Sequence, residues 1–175
     1  MAYIDYSPRT TNRFSPQEFA FDKTNNILYA LDQTDYYNTI ILKIDAATGS
    51  IVGSYPVGDT VQLIMLNPAG DKLFVGGTAV ILKIDTATLT LDTTTSGGFS
   101  GWNSQRALAV DETGTYIYYC WCTGAPRQMV TQFLCSDLSE VATLDVFDLG
   151  GPGAGSFNWM HAVGGYIYMP GQGMV

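Results

Sequence analysis

The chain has 175 residues, of which 46% are hydrophobic, 13% aromatic and only 14% charged. That balance excludes a disordered chain, which is rich in charge and poor in aromatics, and three Glu and four Lys cannot clothe the faces of a coiled coil. A net charge of -8 leaves no clustered basic surface for phosphate contacts, so a nucleic-acid partner is not expected.

In chain order, Met1 to Arg9 lacks the basic-then-apolar pattern of a signal peptide, and residues 1–17 read as an N-terminal segment. A repeat begins at Glu18. Glu18 to Leu31 is an apolar strand, a turn opened by Asp22, and a second strand; Asn26 takes the left-handed turn position. Gln62 to Gly76 repeats this with Asn67 and Gly70, and Arg106 to Tyr119 with Asp111 and Gly114. Trp159 to Met169 repeats it once more with the turn shortened to Gly164-Gly165. Leu28, Leu73, Ile117 and Ile167 are equivalent, at spacings of 45, 44 and 50 residues.

A second hairpin follows the first. Ile40 to Val52 matches Val80 to Leu91 and shares the identical strand Ile-Leu-Lys-Ile-Asp, while Thr131 to Thr143 fills the same slot with weaker identity. Two hairpins per period of about 45 residues make a four-stranded unit, the period and strand count of a propeller blade. The expected class is all-β, with units at about 18–58, 59–101 and 102–150 and a partial fourth at 151–175.

The segment Leu66-Asn-Pro-Ala-Gly-Asp-Lys-Leu-Phe-Val-Gly-Gly77, followed by Ile81-Leu-Lys-Ile-Asp85, resembles the blade repeat of YVTN-type β-propellers, as does Gly165-Tyr-Ile-Tyr-Met169. The third unit departs from the pattern between Tyr116 and Arg127. Neither a Gly-His nor a Trp-Asp pair of the WD type occurs. The resemblance implies a propeller and leaves function open, since such propellers serve as binding scaffolds, surface proteins and some enzymes. The unfinished fourth unit leaves three arrangements open: a part of a longer protein, a closed ring assembled with copies of itself, or an open arc or compact four-bladed toroid with a thin last blade.

Chemistry-bearing residues are few. His161 is the only histidine; on an inner strand it reads as a structural or ligand-contacting residue rather than a base. Asp22, Asp45, Asp85 and Asp111 recur at equivalent places and read as turn formers. Cys120 and Cys122 lie two apart on one strand, a spacing that does not suit a disulfide, so thiols are expected and neither a metal site nor a cofactor is read. The longest uncharged run, Leu149 to Val175, is too rich in Gly to form a helix in lipid, so membrane insertion is not expected.

Aromatics outside the strands are the best ligand candidates: Tyr36, Tyr37, Trp102 and Trp159, with His161 beside the last. Flat apolar faces with polar neighbours suit a protein partner or a glycan. For Trp102 and Trp159 the alternative is a wedge between blades. Tyr29, Phe74, Tyr116, Tyr118 and Tyr168 are expected in the inter-blade core. The expected function is a non-catalytic propeller scaffold with a protein partner or self-assembly. The low charge and the wealth of Thr, Gly and Tyr resemble a virion or extracellular surface component; no signal peptide fixes a compartment. The alternatives are a propeller enzyme (lactonase, lyase or glycoside hydrolase) using Asp32, Asp35 and His161, or a lectin using Tyr36, Tyr37, Trp102 or Trp159.

Overall fold

The computed structural model describes residues 19–35, 38–57, 61–77, 80–96, 107–122, 128–146 and 159–169. Within them lie three four-stranded antiparallel sheets in simple chain order and one two-stranded hairpin. Blade 1 is β1 (Phe19–Asp22), β2 (Ile27–Asp35), β3 (Asn38–Asp45) and β4 (Ile51–Pro56). Blade 2 is β5 (Val61–Leu66), β6 (Lys72–Gly77), β7 (Val80–Asp85) and β8 (Thr90–Ser96). Blade 3 is β9 (Ala107–Val110), β10 (Tyr116–Cys122), β11 (Gln128–Leu134) and β12 (Glu140–Asp145). The last hairpin, β13 (His161–Val163) and β14 (Tyr166–Tyr168), occupies the place of blade 4.

The turns form as their residues dictate. Asp22 Oδ1 accepts from the backbone N–H of Thr24 and Asn25. Asn67 Oδ1 accepts from the N–H of Lys72, and Asp111 Oδ1 from that of Tyr116. Asn26, Gly70 and Gly114 all have positive φ, the left-handed position at which these hairpins reverse. In the last hairpin both Gly164 and Gly165 have positive φ, as a two-residue turn joining twisted strands requires. The second turn of each of the first two blades is equally local, with Asp45 and Asp85 each accepting two backbone N–H groups.

The register fixes the equivalences. Leu28, Leu73, Ile117 and Ile167 pair with Phe21, Leu66, Val110 and Ala162. The inner strands meet in sequence: β1 touches β5, β5 touches β9, and β9 touches β13. Period-two alternation then gives each blade two apolar faces. The leading face of blade 1 (Ala20, Tyr29, Leu31, Ile41) packs on the trailing face of blade 2 (Ile64, Leu73, Val75, Leu82, Ile84). Leu63, Phe74 and Ile81 of blade 2 pack on Leu108, Ile117, Tyr119 and Phe133 of blade 3. Ala107, Ala109, Cys120 and Val130 of blade 3 pack on Met160 and Ala162 of the last hairpin.

The expected aromatic core needs two corrections. Tyr29 and Phe74 are buried, but Tyr116 and Tyr118 are only partly so and Tyr168 is exposed. Tyr168 occupies the slot of Tyr29 and Phe74, yet no described blade covers it. Conversely, Tyr119 is fully buried and donates its hydroxyl to the Gly77 carbonyl across the blade 2–3 junction. Gly76 makes room for it, since a Cβ there would stand 3.2 Å from the Tyr119 ring. Cys120 and Cys135 are buried thiols, and burial pushes the Cys135 thiol up to about 12.

Candidate functional site

The strand shared by two repeats, Ile-Leu-Lys-Ile-Asp, carries a contact that joins neighbouring blades. Lys43 and Lys83 stand at the same register, opposite Tyr29 and Phe74. Lys43 Nζ donates to the Thr86 carbonyl at 2.7 Å, and Lys83 Nζ to the Ser136 carbonyl at 2.6 Å. Each lysine therefore reaches from one blade to the second turn of the next. A register shift falls at this point in every complete blade, between Lys43 and Ile44, Lys83 and Ile84, and Gln132 and Phe133. A bulge of this kind re-aims side chains at a sheet's outer strands. Blade 3 has Gln132 at the lysine position, and its amide turns back to the Tyr118 hydroxyl of its own blade. The identity of the two strands was the sequence signal for this clamp; its inter-blade target was not readable from one chain's pattern.

Beneath each lysine lies an inter-blade cleft. One of about 440 Å³ is lined by Asp22, Asn25, Tyr29, Lys43, Gly70 and Thr86. Its equivalent of about 380 Å³ is lined by Lys72, Phe74, Lys83, Gly114, Leu134 and Ser136. In the first, burial raises the Asp22 carboxyl, but the Asn25 side chain and the N–H groups of Asn25 and Thr24 outweigh it and hold the group below its usual range. Near the second, Lys72 bridges Asp85 and Asp92 at 2.9 and 3.0 Å. The ammonium, helped by the Thr88 backbone and hydroxyl, holds Asp85 well below the usual carboxylate range. Asp22, Asp45, Asp85, Asp92 and Asp111 thus serve turns and ion pairs, and among the described residues no group of three or more His, Cys, Asp or Glu gathers.

Of the five site candidates, Tyr36, Tyr37 and Trp102 lie outside the described residues. Trp159 and His161 come together. From residue 159 to 163 burial alternates strictly, with Met160 and Ala162 packed on blade 3 and Trp159, His161 and Val163 turned outward. Trp159 is therefore not a wedge between blade 3 and the hairpin; Met160 takes that role because alternation puts it on the inner face. Across the hairpin, His161 pairs with Tyr168 and Val163 with Tyr166. The outward face is then Trp159, His161, Val163, Tyr166 and Tyr168, with 49%, 37%, 69% and 52% exposure for Trp159, Val163, Tyr166 and Tyr168 respectively. The two tyrosine rings lie 6.5 Å apart between centroids. Tyr168 was readable only as a core position of a repeat, and Tyr166 was not singled out; the exposure of both is decided by whether another blade covers them.

Comparison with solved structures tests this architecture. The β-propeller domain of Myceliophteria thermophila Cps50 (Swd1) matches with a TM-score of 0.62 at 17% identity, over 88% of this chain and 47% of that one. The WD40 repeats of RRP9 match with a TM-score of 0.65 at 16% identity, over 89% and 44%. The fold is that of a β-propeller. A chain of Kuenenia stuttgartiensis hydrazine synthase also matches, with a TM-score of 0.62 at 14% identity over 91% and 42%, so the propeller alone does not choose between scaffold and enzyme. The chain spans less than half the length of each of these structures. No family model matches it, and no curated protein does.

Proposed function

We propose that this propeller is a non-catalytic scaffold that holds a protein partner against the outward face of its last hairpin. The observation that carries the reading is the face of Trp159, His161, Val163, Tyr166 and Tyr168, which exposes three aromatics on one short hairpin. The run 149–175 contains no Asp, Glu, Lys or Arg. Interface centres are depleted in charge and enriched in Tyr and Trp, which bury large area at low entropy cost. One of the solved structures that the fold resembles belongs to a mitotic checkpoint complex, which is in keeping with this reading, and the two inter-blade clefts hold lysines already engaged by carbonyls.

The finer parts of the proposal rest on sequence. The repeat is of the YVTN type, on Leu66 to Gly77 and Gly165 to Met169. The units run over about 18–58, 59–101, 102–150 and 151–175, after the segment 1–17. Low charge with abundant Thr, Gly and Tyr suits a virion or extracellular surface setting. Tyr36, Tyr37 and Trp102 supply further aromatic contacts in this reading, and a glycan is the alternative ligand for them.

A photo-crosslinking benzophenone amino acid at position 166, introduced in the cells that make the protein, tests the reading. The expected result is a discrete protein adduct that Tyr168→Asp abolishes. The absence of any protein adduct, with glycan-array binding that requires Trp159, would replace the scaffold by the lectin.

A further inference from the structure

The two inter-blade clefts hold the same place in the repeat and differ in charge. Three equivalent positions set the difference. Asp22 opens the first turn of blade 1 where Asn67 opens that of blade 2. Ile27 pairs with Asp45 as Lys72 pairs with Asp85. Asp71 and Thr115 each offer a carbonyl to the second turn of their own blade, at Thr86 and Cys135. The charged groups lining the blade 1–2 cleft are therefore Asp22, Asp71 and Lys43, and those lining the blade 2–3 cleft are Lys72 and Lys83. One cleft is acidic; the other is basic, in a chain whose net charge is -8.

The two ammoniums of the basic cleft converge. Lys72 Nζ lies 3.0 Å and Lys83 Nζ 3.5 Å from the same oxygen, Asp92 Oδ2, so their spacing already suits one carboxylate between them. Lys72 also meets Asp85, and Lys83 the Ser136 carbonyl, and an ammonium carries more donors than these contacts take up. Asp85 and Asp92 belong to β7 and β8 and do not line the cleft. The hydroxyls of Thr115 and Ser136 add donors at its wall, and Phe74 and Leu134 supply apolar lining. We propose that the cleft between blades 2 and 3 binds a small organic acid, its carboxylate between Lys72 and Lys83 and its apolar body along Phe74 and Leu134. Asp92, with a side chain 40% exposed against 12% for Lys83, is an internal carboxylate that competes for the same pair. The volume of about 380 Å³ is at the small end of sites for small molecules, which suits a single ring or a short chain. The site lies away from the hairpin face and does not depend on what that face binds.

Backbone amide chemical shifts of the full chain, titrated with benzoate and separately with benzamidine, test this, because the two probes share a ring and carry opposite charge. Benzoate should shift Gly114, Thr115 and Ser136 to saturation and leave Gly70, Asp71 and Ala87 in place; benzamidine should leave the first three unmoved. Lys72→Met should weaken benzoate about tenfold, the effect of one charge-assisted hydrogen bond, and Lys72→Arg should retain it. Asp92→Asn removes the internal competitor and should tighten binding several-fold. Asn67→Asp installs the residue that the equivalent turn already carries at Asp22, so the fold should hold while benzoate binding weakens. Equal shifts from both probes, shifts shared by both clefts, or an affinity indifferent to Lys72→Met and Asn67→Asp would overturn the site. So would the absence of any benzoate shift in both the parent chain and the Asp92→Asn variant.

Discussion

A charged amine aimed at a carbonyl on the neighbouring blade is a strong hydrogen bond made where two sheets would otherwise touch only through apolar side chains. Lys43 and Lys83 each make one, at separate junctions. Replacing either by Met keeps the aliphatic stem and removes the donor, and should cost about 1 kcal/mol. The double variant should cost the sum, because the sites share no partner. Urea denaturation reads both values, and a cost below about 0.3 kcal/mol would show that water replaces the lysine without loss. Tyr119→Phe is the sharper case. It leaves the buried Gly77 carbonyl without its donor, so a loss of about 1–3 kcal/mol is expected with the apolar packing intact. The turn residues were fully legible in the sequence, because Asp22, Asn67 and Asp111 act within a few residues of themselves. Tyr119 was not, because its role depends on Gly76 standing opposite in another blade.

The hairpins show how burial and backbone strain are weighed. Gly49 opens the left-handed region in the second turn of blade 1, but Leu89 and Leu138 occupy it in blades 2 and 3 with φ of 52° and 60°. That conformation costs a non-glycine residue about 1–2 kcal/mol. Leu138 is 2% exposed and packs with Phe74 and Tyr119, and deleting such a leucine costs about 2–5 kcal/mol. Leu138→Gly should therefore lower stability by about 1–3 kcal/mol, while Leu89→Gly, at a half-buried position, should be close to neutral. Equal effects would show that strain, not packing, decides these turns. The same hairpin of blade 2 sets a pH dependence. Asp85 lies below its unfolded value of about 3.9 because of Lys72 and the Thr88 groups. Its contribution is present above about pH 4 and is lost as pH falls toward the depressed folded value. The urea midpoint should fall on acidification from about pH 5 to about pH 2, and less steeply in Asp85→Asn. Strand existence, order and turn type were legible because each hairpin is a local, period-two pattern. The position of Trp159 was not, since Trp159-Met-His-Ala-Val163 is apolar at four of five positions and gives no polar–apolar alternation to read from the sequence.

For the whole molecule, the sequence period of about 45 residues already implied blades, and the superposition on propellers of about twice the length shows the curvature they follow. What no period reveals is which face of the terminal units is covered, because the repeat writes the same residues at covered and uncovered positions. Tyr168 is the instance: a core residue by register and a surface residue by exposure. On the reading proposed above, this face is an interface completed by another molecule. Amide hydrogen exchange over Trp159 to Met169, compared between the protein isolated with its partners and the chain alone, tests that most directly. Protection of the hairpin should be higher in the assembly, and Tyr168→Asp should abolish the difference. Fast exchange in the hairpin that ignores the assembly and the substitution alike would contradict the interface and leave the hairpin a bare edge.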